Sequence, residues 1–220
     1  AKRLLTTDEI NQVIAYYNLD KYVKPDIYYD VKKQGLTNDT PDEDWYLKDF
    51  SGNGRDMTLY NYARTPESGI NEEGGLQSDG VDDYGQFVGD LGLKDYTVVA
   101  DRAYPIVTVP QFSVISDATG ENANTPFLLE HINEGEFAYS YSDNTAISIN
   151  KEREICYQST YQYKDTAINR GSSTSLGTGL TISRYGINNG YSALVLYSFM
   201  LFHYSMSKFL IERQLKKHKL

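Results

Sequence analysis

The sequence has little cysteine, little excess of basic charge and no long apolar run, and each shortage excludes a class of protein. Its single cysteine, Cys156, cannot form an internal disulfide, and its apolar neighbours predict a buried thiol. A net charge of −9 argues against a nucleic-acid partner, which would require a basic face. The longest apolar run, 193–202, is too short for a membrane-spanning helix, so we expect no membrane insertion.

Short strand-like segments separated by polar turns dominate the rest of the chain, which contains twenty tyrosines. Tyrosine suits both a pleated strand and a recognition surface, so both interpretations stay open. Strands are predicted at 26–31, 57–62, 75–78, 84–88, 96–101, 127–131, 136–141, 146–150, 154–161, 180–183 and 191–202. The last segment alternates poorly and should be buried on both faces. Polar loops are predicted at 35–45, 117–124 and 171–179. The pattern predicts an all-β, two-sheet antiparallel sandwich.

A short helix is predicted at each end of the chain. Thr6 and Glu9 form a capping box, and apolar residues then recur at helical spacing from Ile10 to Ile14. A similar pattern follows Met206. Two Gly-containing turns, 51–54 and 79–80, are predicted to adopt positive φ and to connect strands as hairpins.

Three segments in fixed order carry a family resemblance: Ser-Gly-Asn-Gly at 51–54, Asp-Gly-Val-Asp-Asp-Tyr at 79–84, and the strand 197–202 with the helix after it. Together they resemble laminin-G-like domains of the concanavalin A-like lectin/glucanase superfamily. The resemblance implies a jelly-roll sandwich over residues 26–220. Ser78 departs from it, because the family usually has phenylalanine at that position.

The resemblance also bears on the first 25 residues. In such domains a helix with the pattern Arg-x-Leu-Thr-x-x-Glu-Ile closes the fold, and here a similar sequence stands at 3–10. Residues 1–25 are therefore predicted to be a helix and linker, interpreted as the closing helix of a preceding repeat. A duplicated packing helix and chance similarity between two amphipathic helices are the alternatives.

Six aromatic residues in polar surroundings are candidates for stacking on a sugar ring. They are Trp45, Tyr46, Tyr139, Tyr141, Tyr161 and Tyr163. The last four form two same-face pairs, for which ordinary cross-strand packing is the alternative.

Acidic residues around the two turns are candidates for a calcium site. Asp49, Asp79 and Asp82 are the predicted side-chain ligands, and hard oxygen donors of this kind are what Ca²⁺ takes. The resemblance implies such an ion near a loop rim. The alternative is that these residues, with Asn53, Asp56 and Asp83, serve as Asx-turn formers.

Catalysis is not expected from the carboxylate pattern. The pairs Glu134/Glu136 and Glu152/Glu154 have the two-residue spacing of retaining glycosidases but lack a third carboxylate. His131, His203 and His218 stand near no nucleophile motif.

The sequence therefore predicts a non-catalytic carbohydrate-recognition or adhesion module. The resemblance implies a surface protein of Bacteroidetes-type bacteria or a virion protein of their phages, such as a fibre or tail protein. An extracellular, cell-surface or virion location is accordingly expected. The partners would be a glycan or neighbouring structural subunits, in a repeat array or a homo-oligomer. A purely structural assembly module without glycan binding is the first alternative, and a glycoside hydrolase is the second.

Overall fold

The computed structural model describes residues 3–16, 23–91, 95–105, 111–116, 128–132, 137–140, 145–148, 152–159, 162–163, 166–167, 179–185 and 190–219. The helices are α1 (Thr7–Tyr16), α2 (Val31–Gln34) and α3 (Lys208–His218). The strands of the first half are β1 (Ile27–Asp30), β2 (Tyr46–Leu47), β3 (Met57–Tyr60), β4 (Gly69–Ile70), β5 (Leu76–Gln77), β6 (Tyr84–Val88), β7 (Thr97–Ala103) and β8 (Gln111–Ser116). The strands of the second half are β9 (Leu128–Ile132), β10 (Phe137–Ser140), β11 (Thr145–Ser148), β12 (Glu154–Ser159), β13 (Gln162–Tyr163), β14 (Thr166–Ala167), β15 (Gly179–Ile182), β16 (Arg184–Tyr185), β17 (Gly190–Tyr191) and β18 (Val195–Phe202).

The strands form two large antiparallel sheets, which confirms the predicted all-β sandwich. Sheet A has the order β14-β13-β12-β7-β18-β5-β4, and β1 also pairs with β18. Sheet B has the order β11-β10-β9-β8-β15-β6-β3-β2. A separate hairpin joins β16 and β17. The main core lies between the sheets, where Phe199, Leu47 and Met57 are each fully buried.

Strand β18 is buried along its whole length, as its poor alternation predicts. One of its faces contributes Phe199 and Leu201 to the core between the sheets. Its other face contributes Met200 and Phe202 to a second apolar cluster, in which Ile211 of α3 covers sheet A from outside.

Helix α1 begins with the predicted capping box. The Glu9 amide donates to Thr6 Oγ1 at 3.3 Å, and the Thr6 amide donates to a Glu9 carboxylate oxygen at 2.8 Å. Arg213 of α3 donates to Asn11 Oδ1 at 2.5 Å. On the apolar side of α1, Ile10 and Ile14 are half-buried and Val13 is 42% exposed. The preceding-repeat interpretation of residues 1–25 stays a prediction.

The two Gly-containing turns differ from the predicted hairpins. Gly52, Gly54 and Gly80 do have positive φ. However, nine residues separate the paired strands β2 and β3, so residues 48–56 form a folded loop. The Asp79–Gly80 turn leads from β5 in sheet A to β6 in sheet B and thus crosses the sandwich. The residues of a turn predict its local backbone conformation. They do not predict which strand the following strand pairs with, because that depends on packing against distant parts of the chain.

The departure at Ser78 has a structural reason. Its side chain is 1% exposed, and its hydroxyl lies 2.8 Å from both Ser183 Oγ and the Ser192 carbonyl oxygen. The same oxygen accepts a hydrogen bond from the Leu194 amide at 3.0 Å. A phenylalanine ring would not fit among these polar groups, so Ser78 joins the end of β5 to the start of β18 by a buried polar contact.

Candidate functional site

A polar groove lies beside Tyr197 of β18, in sheet A. Tyr197 is the extra residue of a β-bulge, because the pairing of β18 with β7 shifts register between Leu196 and Ser198. Bulges of this kind redirect a side chain and are common beside functional sites. Two adjoining cavities of about 410 and 430 Å³ share Glu73, Arg153 and Tyr197 as lining residues. We call these two cavities together the Tyr197 groove.

The polar side chains at the centre of the groove are held in fixed positions. The guanidinium of Arg153 donates to both carboxylate oxygens of Asp101, at 3.0 and 2.7 Å. The same guanidinium lies 3.6 Å from the centroid of the Tyr197 ring. The bidentate ion pair and the ring contact together fix the orientation of the Arg153 guanidinium, so the polar groups of the groove are preorganised.

The hydroxyl of Tyr197 donates to Glu73 Oε2 at 2.5 Å. Burial raises the pKa of Tyr197 to about 12, and the hydrogen bond to Glu73 adds to this effect. The phenol is therefore protonated at neutral pH and acts as a donor. Arg153, Tyr197 and Glu73 thus form one connected polar network across the floor of the groove.

The predicted ligand-binding aromatics do not form a single site. Trp45 is 8% exposed, with the Arg64 guanidinium 4.8 Å from its ring, and it does not line the Tyr197 groove. Tyr46 is half-buried and lines a shallow pocket of about 290 Å³ with Trp45. Tyr139 lies in β10 of sheet B and Tyr163 in β13 of sheet A, so the two strands belong to different sheets. Tyr141 and Tyr161 lie outside the described residues.

A row of tyrosines on sheet B was not singled out by the sequence. The rings of Tyr60 and Tyr84 stack with centroids 4.7 Å apart, and Tyr191 is 6.1 Å from Tyr84. The Arg184 guanidinium lies 4.6 Å from the Tyr84 ring. The row arises from the pairing of β3 with β6, whose register places Tyr60 opposite Tyr84.

The predicted metal ligands are divided between two places. Carboxylate oxygens of Asp79, Asp82 and Asp83 lie within 4.8 Å of one another. This is the one such acidic cluster among the described residues, and it does not include Asp49. Asp49 instead accepts hydrogen bonds from the amides of Tyr28, Ser51 and Arg55 and so organises the 48–56 loop. These hydrogen bonds give Asp49 the role of a turn former, which is the alternative interpretation of this residue.

Asp83 is the unusual member of the acidic cluster. Its side chain is fully buried, and its Oδ1 atom has no hydrogen-bond partner, while Oδ2 accepts from the Asp79 amide at 2.9 Å. Burial raises the pKa of Asp83 to about 6, with the nearby charges of Asp79 and Asp82 adding to it and a hydrogen bond from Ser68 opposing it. A buried, orphaned carboxylate oxygen facing two further carboxylates is an arrangement that a bound cation would stabilise.

The candidate catalytic carboxylates are also separated. Glu154 pairs with the buried Arg102 at 2.8 Å, whereas Glu152 is exposed and lines the groove. Glu134 and Glu136 lie outside the described residues. His203 is hydrogen-bonded to Asp26, and His218 packs against the Tyr28 ring with centroids 4.7 Å apart. Cys156 is buried, as predicted.

The folded chain is similar to several solved structures, although its sequence matches no family model and no curated protein. One is Trypanosoma rangeli sialidase in complex with 2,3-difluorosialic acid, with a TM-score of 0.55 and 13% identity over 94% of this chain and 38% of that one. A second structure describes ganglioside-dependent cell entry of botulinum neurotoxin type C, with a TM-score of 0.53 and 10% identity over 88% of this chain and 51% of that one. A third is the binding domain of botulinum neurotoxin DC with rat synaptotagmin II, with a TM-score of 0.54 and 11% identity over 88% and 51%.

These likenesses establish the β-sandwich fold. The chain spans about a third to a half of the length of the proteins it resembles. No family model confirms the narrower laminin-G-like assignment. None of the helices in the described part of the chain is long and apolar enough to cross a membrane.

The comparison corrects one sequence-based conclusion, the exclusion of catalysis. That conclusion was wrong because it relied on the carboxylate spacing of ordinary glycosidases, and sialidases, which are glycoside hydrolases, stand among the proteins of similar fold.

Proposed function

We propose that this chain is a carbohydrate-binding β-sandwich module and that the Tyr197 groove is its sugar site. The observation that carries the proposal is the groove itself, an open concavity in which Arg153, Tyr197 and Glu73 converge. Sugar sites combine an aromatic group with a few fixed polar groups that set orientation. The folds of the ganglioside-linked neurotoxin and the sialidase support the same class of ligand.

The proposal extends to where the protein acts. A glycan-binding module would serve in adhesion at a cell surface, outside the cell or on a virion, alone or in a repeat array or homo-oligomer. A purely structural module that contacts neighbouring subunits is the alternative from a different class. It predicts self-association or subunit binding without any affinity for sugars.

Replacing Tyr197 with alanine is expected to weaken glycan binding about tenfold, because the ring that orients Arg153 and the hydroxyl bonded to Glu73 are lost together. Binding would be measured by calorimetry with ligands first selected on a glycan array. Tyr60→Ala is the matched control, since it removes an equally large ring from the tyrosine row of sheet B. Loss of binding in Tyr60→Ala but not in Tyr197→Ala would move the site to that row.

Glycoside hydrolysis is a second candidate function, and the hydrogen bond between Tyr197 and Glu73 favours it. A carboxylate that accepts the phenolic proton is what a tyrosine nucleophile requires. The raised pKa and the 7% exposure of Tyr197 oppose it, so it ranks behind binding. Release of free sugar from sialyllactose, abolished by Tyr197→Phe with binding retained, would establish hydrolysis. Binding without release would leave recognition as the function.

We also propose that Asp79, Asp82 and Asp83 hold a calcium ion. The support is the buried Asp83 Oδ1, which lacks a partner, beside two further carboxylates. Because the pKa of Asp83 is raised on folding, the folded state without metal binds a proton more tightly than the unfolded chain. Stability in chelator should therefore fall as the pH rises from about 4 to about 6.

Excess calcium is expected to raise the melting temperature at pH 7, because a cation that binds only the folded state stabilises it by mass action. Asp83→Asn should abolish this shift and, in chelator, should be at least as stable as the parent protein. Asp39→Asn removes an exposed carboxylate elsewhere and should keep the full shift. Coincident melting curves with calcium and with chelator would show that the three acids only form turns.

A further inference from the structure

One end of the Tyr197 groove is basic, although the whole chain carries a net charge of −9. Cationic side chains from three separate segments line the first cavity: Lys32 and Lys33 from α2, Arg153 before β12, and Lys219 after α3. Their charges come together because two helices end at this place. The last turns of α2 and α3 both carry basic residues, which also complement the negative ends of the helices.

The carboxylates of this cavity already have partners within the protein. Asp101 is held by Arg153, and Glu73 accepts the hydroxyl of Tyr197. Asp30 accepts the Tyr28 hydroxyl at 2.8 Å and the Lys33 amide at 2.8 Å. Each carboxylate at this end of the groove therefore already accepts a hydrogen bond from the protein.

Several donors in the same cavity remain without a protein partner. Among the described residues, Lys32 and Lys219 are exposed, and neither ammonium group takes part in an ion pair or a hydrogen bond. The Nε2 atom of His218 also lacks a partner, but it is buried, and burial lowers the pKa of this imidazole, so His218 adds no exposed cation to the cavity. Lys33, by contrast, lies over the rings of Tyr28 and Phe50, at 4.8 and 4.4 Å. Because the four cationic side chains of this cavity outnumber its three carboxylates, we expect a ligand at this end to supply acceptors that carry negative charge.

We propose that Lys32 and Lys219 form an anion subsite for the acidic group of a charged sugar. The ligand class is then an acidic glycan, whose carboxylate or sulfate occupies this end while its sugar ring lies beside Tyr197. This inference rests on the proposed carbohydrate function and narrows it to one class of sugar. An acidic group here would meet two free ammonium groups at short range, where charge-assisted hydrogen bonds are strong.

The test compares acidic sugars with their neutral counterparts on the whole chain. Calorimetry would measure sialyllactose against lactose for the carboxylate, and galactose 6-sulfate against galactose for the sulfate. We expect at least one acidic ligand to bind about tenfold more tightly than its neutral partner, and the difference to shrink as salt is added. The pair with the larger ratio identifies which anion the subsite takes.

The double variant Lys32→Ala/Lys219→Ala should remove that preference while leaving neutral binding unchanged. Both lysines are exposed, so the fold should be preserved. Lys216→Ala is the matched control, because it removes an exposed lysine of the same basic cluster that does not line the groove. Equal affinity for acidic and neutral sugars would overturn the anion subsite and leave the carbohydrate function standing. Absence of binding to any of the four sugars, together with an empty glycan array, would overturn both.

Discussion

Replacing Phe199 with alanine is expected to lower the free energy of unfolding by about 3–5 kcal/mol. Phe199 lies in the middle of β18, is fully buried and stacks on Tyr29 with ring centroids 6.0 Å apart. Truncation removes the transfer free energy of the ring and leaves a cavity between two sheets that cannot collapse freely.

Denaturant-induced unfolding, followed by tryptophan fluorescence or circular dichroism, would measure this loss. Val88→Ala is the control, since Val88 is 64% exposed on β6 and should change the stability by less than about 0.5 kcal/mol. A Phe199→Ala protein as stable as the parent would mean that β18 does not lie in the centre of the sandwich.

Replacing Asp49 with alanine is expected to cost roughly 3–5 kcal/mol. The Asp49 carboxylate is 7% exposed and accepts hydrogen bonds from three backbone amides and from the Ser51 hydroxyl. Removing it leaves the buried Tyr28 amide without its partner and releases the 48–56 loop.

This loss should be the same with calcium and with chelator, because Asp49 is not part of the acidic cluster. Thermal and chemical unfolding in both conditions would measure it, with Asp44→Ala as the exposed control. A loss of stability seen only with calcium present would restore Asp49 as a metal ligand.

The sequence predicts best those features that depend on neighbouring residues. The capping box of Thr6 and Glu9 and the positive φ of Gly52 and Gly54 were confirmed because both follow from local hydrogen bonding and sterics. Local signals for α2 were also present but unused, since Asp30 caps its start and Gly35 ends it in the left-handed conformation. Four residues are too few for helical periodicity to be recognised.

Features that depend on distant partners escaped prediction. The bulge at Tyr197 exists only because β18 pairs with β7, about a hundred residues earlier in the chain. Strand β8 was not predicted, and the crossing of the 79–80 turn between sheets depends on pairings of β5 and β6 with strands far along the sequence.

The candidate site could not be predicted for the same reason. Its residues come from α2, the turn before β5, β7, the start of β12, β18 and the end of α3. No spacing in the sequence joins Glu73, Arg153 and Tyr197. The sequence identified Glu152 and Glu154 as a carboxylate pair in this segment. The residue between them, Arg153, is the one that contacts the Tyr197 ring.

A crystal structure of the protein with sialyllactose would test the central claim most directly. We predict electron density for the sugar in the Tyr197 groove, with its ring beside Tyr197 and its carboxylate within hydrogen-bond distance of Lys32 or Lys219. Sugar density on the tyrosine row of Tyr60 and Tyr84 would contradict the assignment of the groove as the sugar site. The absence of bound sugar, at a ligand concentration that saturates the protein in solution, would contradict it as well.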